Sequence, residues 1–308
     1  MSYRIFVAFS ENNIFMKKLL TFVIIFSLLF ALNGDENATN ICPASPLFNA
    51  IESYYTNIEN NLRIMSYNLL SHELGFDGVS SDERKAGIIT LINAVNPHIL
   101  CLQEMSSDYY ISLNKETSLD FISPVNYLLS RSMTVLMYNP EHITLIEHGS
   151  VAYKYSTNPR LRCYTWGIFE EKKSNRLFMV VNTHLNLYKQ ATAYPLLQAT
   201  ELIDFCNKKS DEYNCPIYIS GDFNSTHNND ISNDCAVYDY ISLYYNDSKE
   251  NTEIKTHGEG KALYSPISDY IFCSDSVKIK SYTLLSQPEL NTLSDHYPIF
   301  IDSSLNTS

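Results

Sequence analysis

The chain has 308 residues, 45% hydrophobic and 18% charged, with a formal charge of −12. That composition excludes a disordered or fibrous protein, and its length allows one large domain or two small ones at ~100–200 residues each. The negative charge excludes a basic, non-specific nucleic-acid binder, because it repels phosphate at long range; a nucleic-acid substrate stays open, since a divalent cation reverses the field locally.

Met16-Lys17-Lys18 precedes Leu19–Leu32, a run without charge, and Asn33-Gly34-Asp35 follows. These read as the basic, apolar and exit regions of a secretory signal peptide. The run is shorter than the ~20 residues of a spanning helix, so the sequence predicts cleavage near Gly34, an exported chain and no stable membrane anchor; the alternative is a short signal-anchor. Residues 1–15 then read as an upstream extension. Removing 1–34 takes away Arg4, Lys17, Lys18 and Glu11, which leaves a charge of −14. Residues 35–60 form an N-terminal segment, and 61–303 form the domain, with no repeat or low-complexity linker inside it.

Export permits disulfides. Seven Cys leave at least one unpaired within the chain. Cys101 and Cys273 lie in apolar runs and read as buried thiols, whereas Cys42, Cys163, Cys206, Cys215 and Cys235 are the candidates for bridges. Sequons stand at Asn37, Asn224, Asn246 and Asn306.

Apolar runs rich in Ile, Val, Tyr and Phe predict strands at Leu62–Leu69, His98–Leu102, Thr134–Tyr138, His142–Ile146, Cys163–Phe169, Leu177–Val181, Pro216–Ile219, Tyr270–Phe272, Val277–Tyr282 and Tyr297–Ile301. Helical spacing covers Asp82–Val95 and Ala191–Phe205, and more weakly Cys235–Tyr244. The alternation is too irregular for a doubly wound sheet. From Tyr127 to Val181 no helix intervenes, which predicts antiparallel hairpins. The expected fold class is α/β: a four-layer α/β sandwich of two mixed β-sheets flanked by helices.

Polar residues cluster at the ends of these runs. Asn68 and Glu104 end strands, as do Thr183-His184 and Gly221-Asp222-Phe223-Asn224; Asp269 and Asp295-His296 begin them. Six strand ends carrying acid, amide or imidazole groups suggest one site on a sandwich rim. Carboxylate and amide oxygens suit a hard cation, Mg²⁺ or Mn²⁺; imidazoles and amides can hold a phosphoryl group and move a proton. Singly, each has an ordinary reading: Asn68 as a turn residue, Glu104 as a strand end at solvent, Asp269 as a cap, Arg160 and Arg162 as a solvated strand edge. His142, His148 and His227 keep the ordinary reading of surface or satisfied residues.

In order, these motifs resemble the endonuclease/exonuclease/phosphatase superfamily of metal-dependent phosphoesterases, from about Leu62 to Ile301. The resemblance implies a DNase I-like fold and a role for each position. Glu104, Asp295 and Asn68 would hold the metal. His296 would polarise the attacking water, with Asp269 orienting its ring. Asp222 and Asn224 would orient the water and steady the phosphate, and His184 would donate to it. Arg162 would clamp substrate phosphate, as an arginine does at about this place in DNase I. The sequence GDFN is the nuclease-like form; the GDLNYR and PAWCDR of inositol phosphatases are absent. Ser132 and Ser106 depart from DNase I at a histidine-pairing glutamate and a groove-reading arginine. The resulting expectation is an exported, monomeric nuclease using Mg²⁺ or Mn²⁺ on a phosphodiester of DNA or RNA. The alternatives are a sphingomyelinase-type lipid phosphodiesterase and a non-catalytic binding protein on the same fold.

Overall fold

The computed structural model describes residues 61–70, 75–124, 133–157, 162–187, 193–227, 235–252, 254–257 and 268–305. The leader sequence, Cys42, Arg160, Ser132, and the sequons at Asn37 and Asn306 lie outside the described residues.

The strands are β1 Leu62–Asn68, β2 Ile99–Met105, β3 Asp120–Ile122, β4 Met133–Tyr138, β5 Ile143–Ala152, β6 Cys163–Glu171, β7 Arg176–His184, β8 Ile217–Asp222, β9 Asn246–Asp247, β10 Lys255–His257, β11 Asp269–Cys273, β12 Val277–Leu284 and β13 Ile299–Leu305. The helices are α1 Ser81–Val95, α2 Ser107–Glu116, α3 Tyr194–Tyr213 and α4 Ala236–Ile241. A seven-stranded sheet runs in the order β10-β12-β13-β1-β2-β4-β3, and a six-stranded sheet in the order β5-β6-β7-β8-β11-β9. Both mix parallel and antiparallel pairs, as β1 with β2 and β13, and β7 with β8 and β6, show.

Strand alternation sorts the apolar residues into three cores. In β1, Leu62 and Ile64 face the core between the sheets, while Met65 and Tyr67 pack with Ile88, Leu91 and Ile92 of α1. In β8, Tyr218 faces between the sheets, while Ile217 and Ile219 join Leu202 and Cys206 of α3. Two outer cores and one inner core make the four layers that the sequence predicts. Buried Arg63 ties three elements together: Nε and Nη2 each bond a carboxylate oxygen of Asp302 in β13 at 2.8 Å, and Nη1 donates to the Val95 carbonyl at the end of α1.

The structure corrects several expectations. β4 and β5 do not form a hairpin: β4 joins β2 in the seven-stranded sheet and β5 joins β6 in the other, so the link from Asn139 to His142 crosses between sheets. β5, β6 and β7 are successive antiparallel neighbours, as expected. Asp295 and His296 precede β13 instead of beginning it, because Pro298 carries no N–H for the ladder and its carbonyl takes the Leu285 N–H. Helix α2, with only Tyr109 and Leu113 buried, has too narrow an apolar stripe to read from periodicity. Helix α3 continues to Tyr213 through a polar turn that ended the sequence pattern early. Cys206 and Cys215 are thiols packed in an outer core, not halves of a bridge. Cys101 and Cys273 are buried thiols, as predicted.

Candidate active site

Along several strands the face turned between the sheets changes character in steps. Ile64, Val180, Tyr218 and Ile271 are apolar. One step further along β1, β7 and β8 stand Ser66, Asn182 and Ser220, all fully buried. One step beyond those stand Asn68, His184 and Asp222, and Asp269 lies opposite Asp222 in the ladder. A chain that places polar groups in a closed interior must bond them. Gln103 does this: its amide donates to Asn182 Oδ1 (2.8 Å) and Ser66 Oγ (3.2 Å), and the Asn182 amide donates to the Leu102 and Val135 carbonyls.

Glu104 reaches the site through an irregularity. Strict alternation would point it, with Leu100 and Leu102, against the helices. The β2–β4 register shifts between Leu102 and Met105, and Glu104 takes a left-handed φ of 53°. The bulge returns Met105 to the outer core and frees Glu104 from that face. Gly221 is the second special position, with φ 148°; a Cβ there would lie 2.0 Å from the Thr183 carbonyl oxygen, so only glycine lets β7 and β8 approach this closely.

The side chains form a belt of alternating carboxylate and imidazole. His184 Nε2 lies 4.0 Å from Glu104 Oε1 and 3.4 Å from Asp222 Oδ2. His296 Nε2 lies 3.8 Å from the same Asp222 oxygen and 4.0 Å from Asp295 Oδ1. Asp222 is fixed by the Asn68 amide on Oδ2 (3.0 Å) and by the Asn224 N–H and Ser268 hydroxyl on Oδ1. His296 Nδ1 sits 2.7 Å from Asp269 Oδ2. The Asn224 amide donates to the Leu185 carbonyl at 2.8 Å. Arg162 is the remaining member: its guanidinium feels the Asp222 and Glu104 charges, and its Nη1 is buried with no hydrogen-bond partner among the described residues.

The two imidazoles are tuned in opposite directions. Burial pushes His184 down to about 3, and the neighbouring Arg162 cation adds to the effect. Burial also pulls on His296, but the Asp269 charge and hydrogen bond, with Asp222 and Asp295, carry it up to about 10. Burial lowers the affinity of Arg162 for its proton, which nonetheless stays bound in any accessible pH range.

All eight belt and flanking residues expected from the sequence (Asn68, Glu104, His184, Asp222, Asn224, Asp269, Asp295, His296) are brought together, with Arg162 beside them. Sequence reading misses Ser268 and Ser294, although each stands directly before a belt aspartate. His142 packs edge-on against His98, and the His227 ring lies on Tyr238, so both keep ordinary roles.

The donors suit a hard cation. Asp222, Asp269 and His296 present ligand atoms within 4.8 Å of one another, but Asp269 is committed to the imidazole, which marks that trio as a proton-handling group. Glu104 and Asp295 have side chains 29% and 28% exposed, against 2% for Asp222 and 8% for Asp269. A hydrated ion meets these two carboxylates first, and Mg²⁺-type ions keep several waters on one or two carboxylates.

A profile of the Endonuclease/Exonuclease/phosphatase family matches residues 65–296. A protein of Acanthamoeba polyphaga mimivirus, "Uncharacterized protein L388", is 25% identical over 165 residues; the match covers 47% of this chain and 59% of that protein. An endonuclease/exonuclease/phosphatase family protein from Bacteroides thetaiotaomicron superposes with a TM-score of 0.67 at 18% identity, covering 81% of this chain and 99% of that one. The mannosyl-6-phosphatase Bt3783 of the same species gives 0.65 at 18% identity, over 79% and 99%. D. rerio TDP2 complexed with a single-strand DNA product gives 0.60 at 16% identity, also over 79% and 99%. At these identities the superpositions establish the fold.

Proposed function

Because the chain belongs to the endonuclease/exonuclease/phosphatase family, whose members are metal-dependent phosphoesterases, we propose that it is an exported Mg²⁺- or Mn²⁺-dependent phosphodiesterase acting on nucleic acid. The observation that carries the hydrolytic reading is the Asp269–His296 pair set against Asp222, with the unpartnered Arg162 nitrogen beside them.

Glu104, Asp295 and the side-chain oxygen of Asn68 would hold the cation, which would neutralise phosphate charge and make water a better nucleophile. A cation beside Asp295 would offset the carboxylates that keep His296 protonated; its Nε2 would then accept the proton of the attacking water, with Asp269 on Nδ1 fixing the ring and stabilising the imidazolium. Asp222 and Asn224 orient that water. Arg162 and His184 receive the phosphate oxygens; neutral His184 donates one N–H, while Arg162 supplies charge-assisted bonds. The P–O bond to the leaving oxygen breaks as the new one forms; that oxygen takes a proton from solvent, and His296 returns the proton it accepted to solvent.

The GDFN sequence and the likeness to TDP2, solved with a DNA product, support a nucleic-acid substrate. The likeness to Bt3783 supports a second reading, a sugar phosphate monoester. Export rests on Met16–Leu32; among the described residues no helix is long and apolar enough to cross a membrane. The test incubates residues 35–308 with Mg²⁺ and single-stranded DNA, RNA, sphingomyelin or mannose 6-phosphate. Cleavage of DNA or RNA is expected. Turnover of mannose 6-phosphate or sphingomyelin alone overturns the nucleic-acid reading, and full activity in excess EDTA overturns the metal. N-terminal sequencing of secreted material tests export; recovery of Leu19–Leu32 in a membrane fraction overturns it.

A further inference from the structure

Asn68 and Asp295 come from segments more than two hundred residues apart, yet both must meet one ion if the reading above holds. Nothing in their own side-chain bonds ties one segment to the other: Asn68 bonds Asp222 and the Leu70 N–H, and Asp295 Oδ1 touches Ser294 Oγ at 3.5 Å. The connection lies behind them. Arg84 of α1 is completely buried. Its Nη2 donates to the Leu69 carbonyl (2.7 Å) and the Leu70 carbonyl (3.0 Å), the two residues after Asn68. Its Nε donates to the Leu293 carbonyl at 2.9 Å, two residues before Asp295. One guanidinium therefore grips the chain next to each ligand.

Three further features support the grip. Ser294 Oγ donates to the Asn68 carbonyl at 2.7 Å and accepts the His296 N–H at 3.2 Å, so the segments are also stitched directly. Leu70 holds a left-handed φ of 50°, a conformation costly for a non-glycine residue, and both its N–H and its carbonyl are bonded within this assembly. Gly87 lies three residues after Arg84, on the same side of α1. A Cβ at Gly87 would stand 2.6 Å from Leu293 Cδ2, so the helix presses on the segment that Arg84 holds.

We propose that Arg84, assisted by Ser294, is a positioning residue for the divalent cation: it sets the separation of Asn68 and Asp295 from behind, through main-chain carbonyls. Only a planar fork with several N–H groups can reach three carbonyls in different directions, which a lysine ammonium at the end of a flexible stem does not reproduce. Groups that orient metal ligands typically change affinity by about 10- to 100-fold when removed.

The inference rests on Asn68, Glu104 and Asp295 holding the ion, and the test separates the two. Cation affinity is measured directly on metal-free protein by Mn²⁺ paramagnetic resonance titration. The variants are Arg84→Lys, Ser294→Ala and Glu104→Gln, each checked for folding by circular dichroism. Glu104→Gln should abolish specific binding; retained wild-type affinity in that variant sinks the ligand assignment. Arg84→Lys should weaken Mn²⁺ about 10- to 100-fold and Ser294→Ala by a smaller factor. Turnover of Arg84→Lys at saturating cation should recover to near the wild-type rate, which a general loss of structure would not allow. Wild-type Mn²⁺ affinity in Arg84→Lys, with Glu104→Gln unable to bind, overturns the positioning role and leaves the ligand assignment standing. If Arg84→Lys fails to fold, Ser294→Ala decides: unchanged affinity there is the overturning result.

Discussion

The two sheets divide the site between them. The seven-stranded sheet supplies Asn68 from β1, Glu104 from β2 and, ahead of β13, Asp295; its two carboxylates are more than a quarter exposed. The six-stranded sheet supplies His184, Asp222 and Asp269 from β7, β8 and β11, and these side chains are nearly sealed from solvent. His296 belongs to the first half by chain and to the second by its bond with Asp269. The difference matches what each half must do on the proposed mechanism. An ion arrives and leaves with its water, so its carboxylates need access; a proton-handling pair needs a dry, fixed setting in which charge and hydrogen bonds are strong.

Substitutions on each side break that division in different ways. The largest loss is expected on the open side. Glu104→Gln removes one charge from the proposed ion site and should lower phosphoesterase turnover by about 10³-fold or more, several kcal/mol of transition-state stabilisation. Added Mn²⁺ should restore little of it, as a rate titration against metal will show. Next comes the crossing point. His296→Ala should cost at least ~10²-fold, the scale of lost general-base catalysis, with the fold checked by circular dichroism, since this residue precedes β13 and lies outside the three apolar cores. A normal rate would remove the mechanism. Asp269→Asn keeps the ring and loses its charge support, so about a tenfold loss is expected. If the pair acts as one unit, the double variant should be hardly slower than His296→Ala; additive losses would separate the two residues.

The smallest effect should appear far from the site. His98 stands just ahead of β2, at the end away from Glu104, buried with Nδ1 accepting the Arg63 N–H at 2.9 Å. Burial, with the neighbouring His142 and Arg63, pushes it down to about 3 from 6.5. Between those values the unfolded chain binds a proton that the folded one refuses. Its contribution to stability is therefore complete above pH 6.5 and is lost as pH falls toward 3, at up to roughly 1.4 kcal/mol per pH unit. His98→Asn keeps an acceptor for Arg63 and cannot titrate, so urea unfolding should show a flatter pH slope with an unchanged turnover at neutral pH. An unchanged slope would contradict the assignment.

Much of this could be read before any coordinates, for a physical reason. Strands that end in Asn68, His184 and Asp222 change from apolar to polar along one face, and a period of two carries that change directly into sequence. Glu104 was legible as a residue type, but its direction was not, because a bulge breaks the alternation that would have predicted it. The β4–β5 crossing was illegible because a short polar link looks the same whether it closes a hairpin or passes between sheets. Arg84 was missed for a different cause. Its partners are main-chain carbonyls, which every residue has, so no pattern of side chains announces them.

β13 carries a consequence for how the protein comes into being. It lies inside its sheet, beside the central strand β1, and the Arg63–Asp302 pair joins positions 239 apart in sequence. A chain emerging N-terminus first can form β5 to β7 early, from neighbours in sequence, and can set β1 beside β2, but β1 waits for its second neighbour, β13, until nearly the whole domain has been made. Such long-range closure is slow, and it is also the step that brings Asp295 and His296 to the rest. A partly made or partly threaded chain thus holds Glu104, His184 and Asp222 without the base, and hydrolytic activity should arise only at the final closure. Latency during synthesis then follows from topology alone, with no inhibitory segment required.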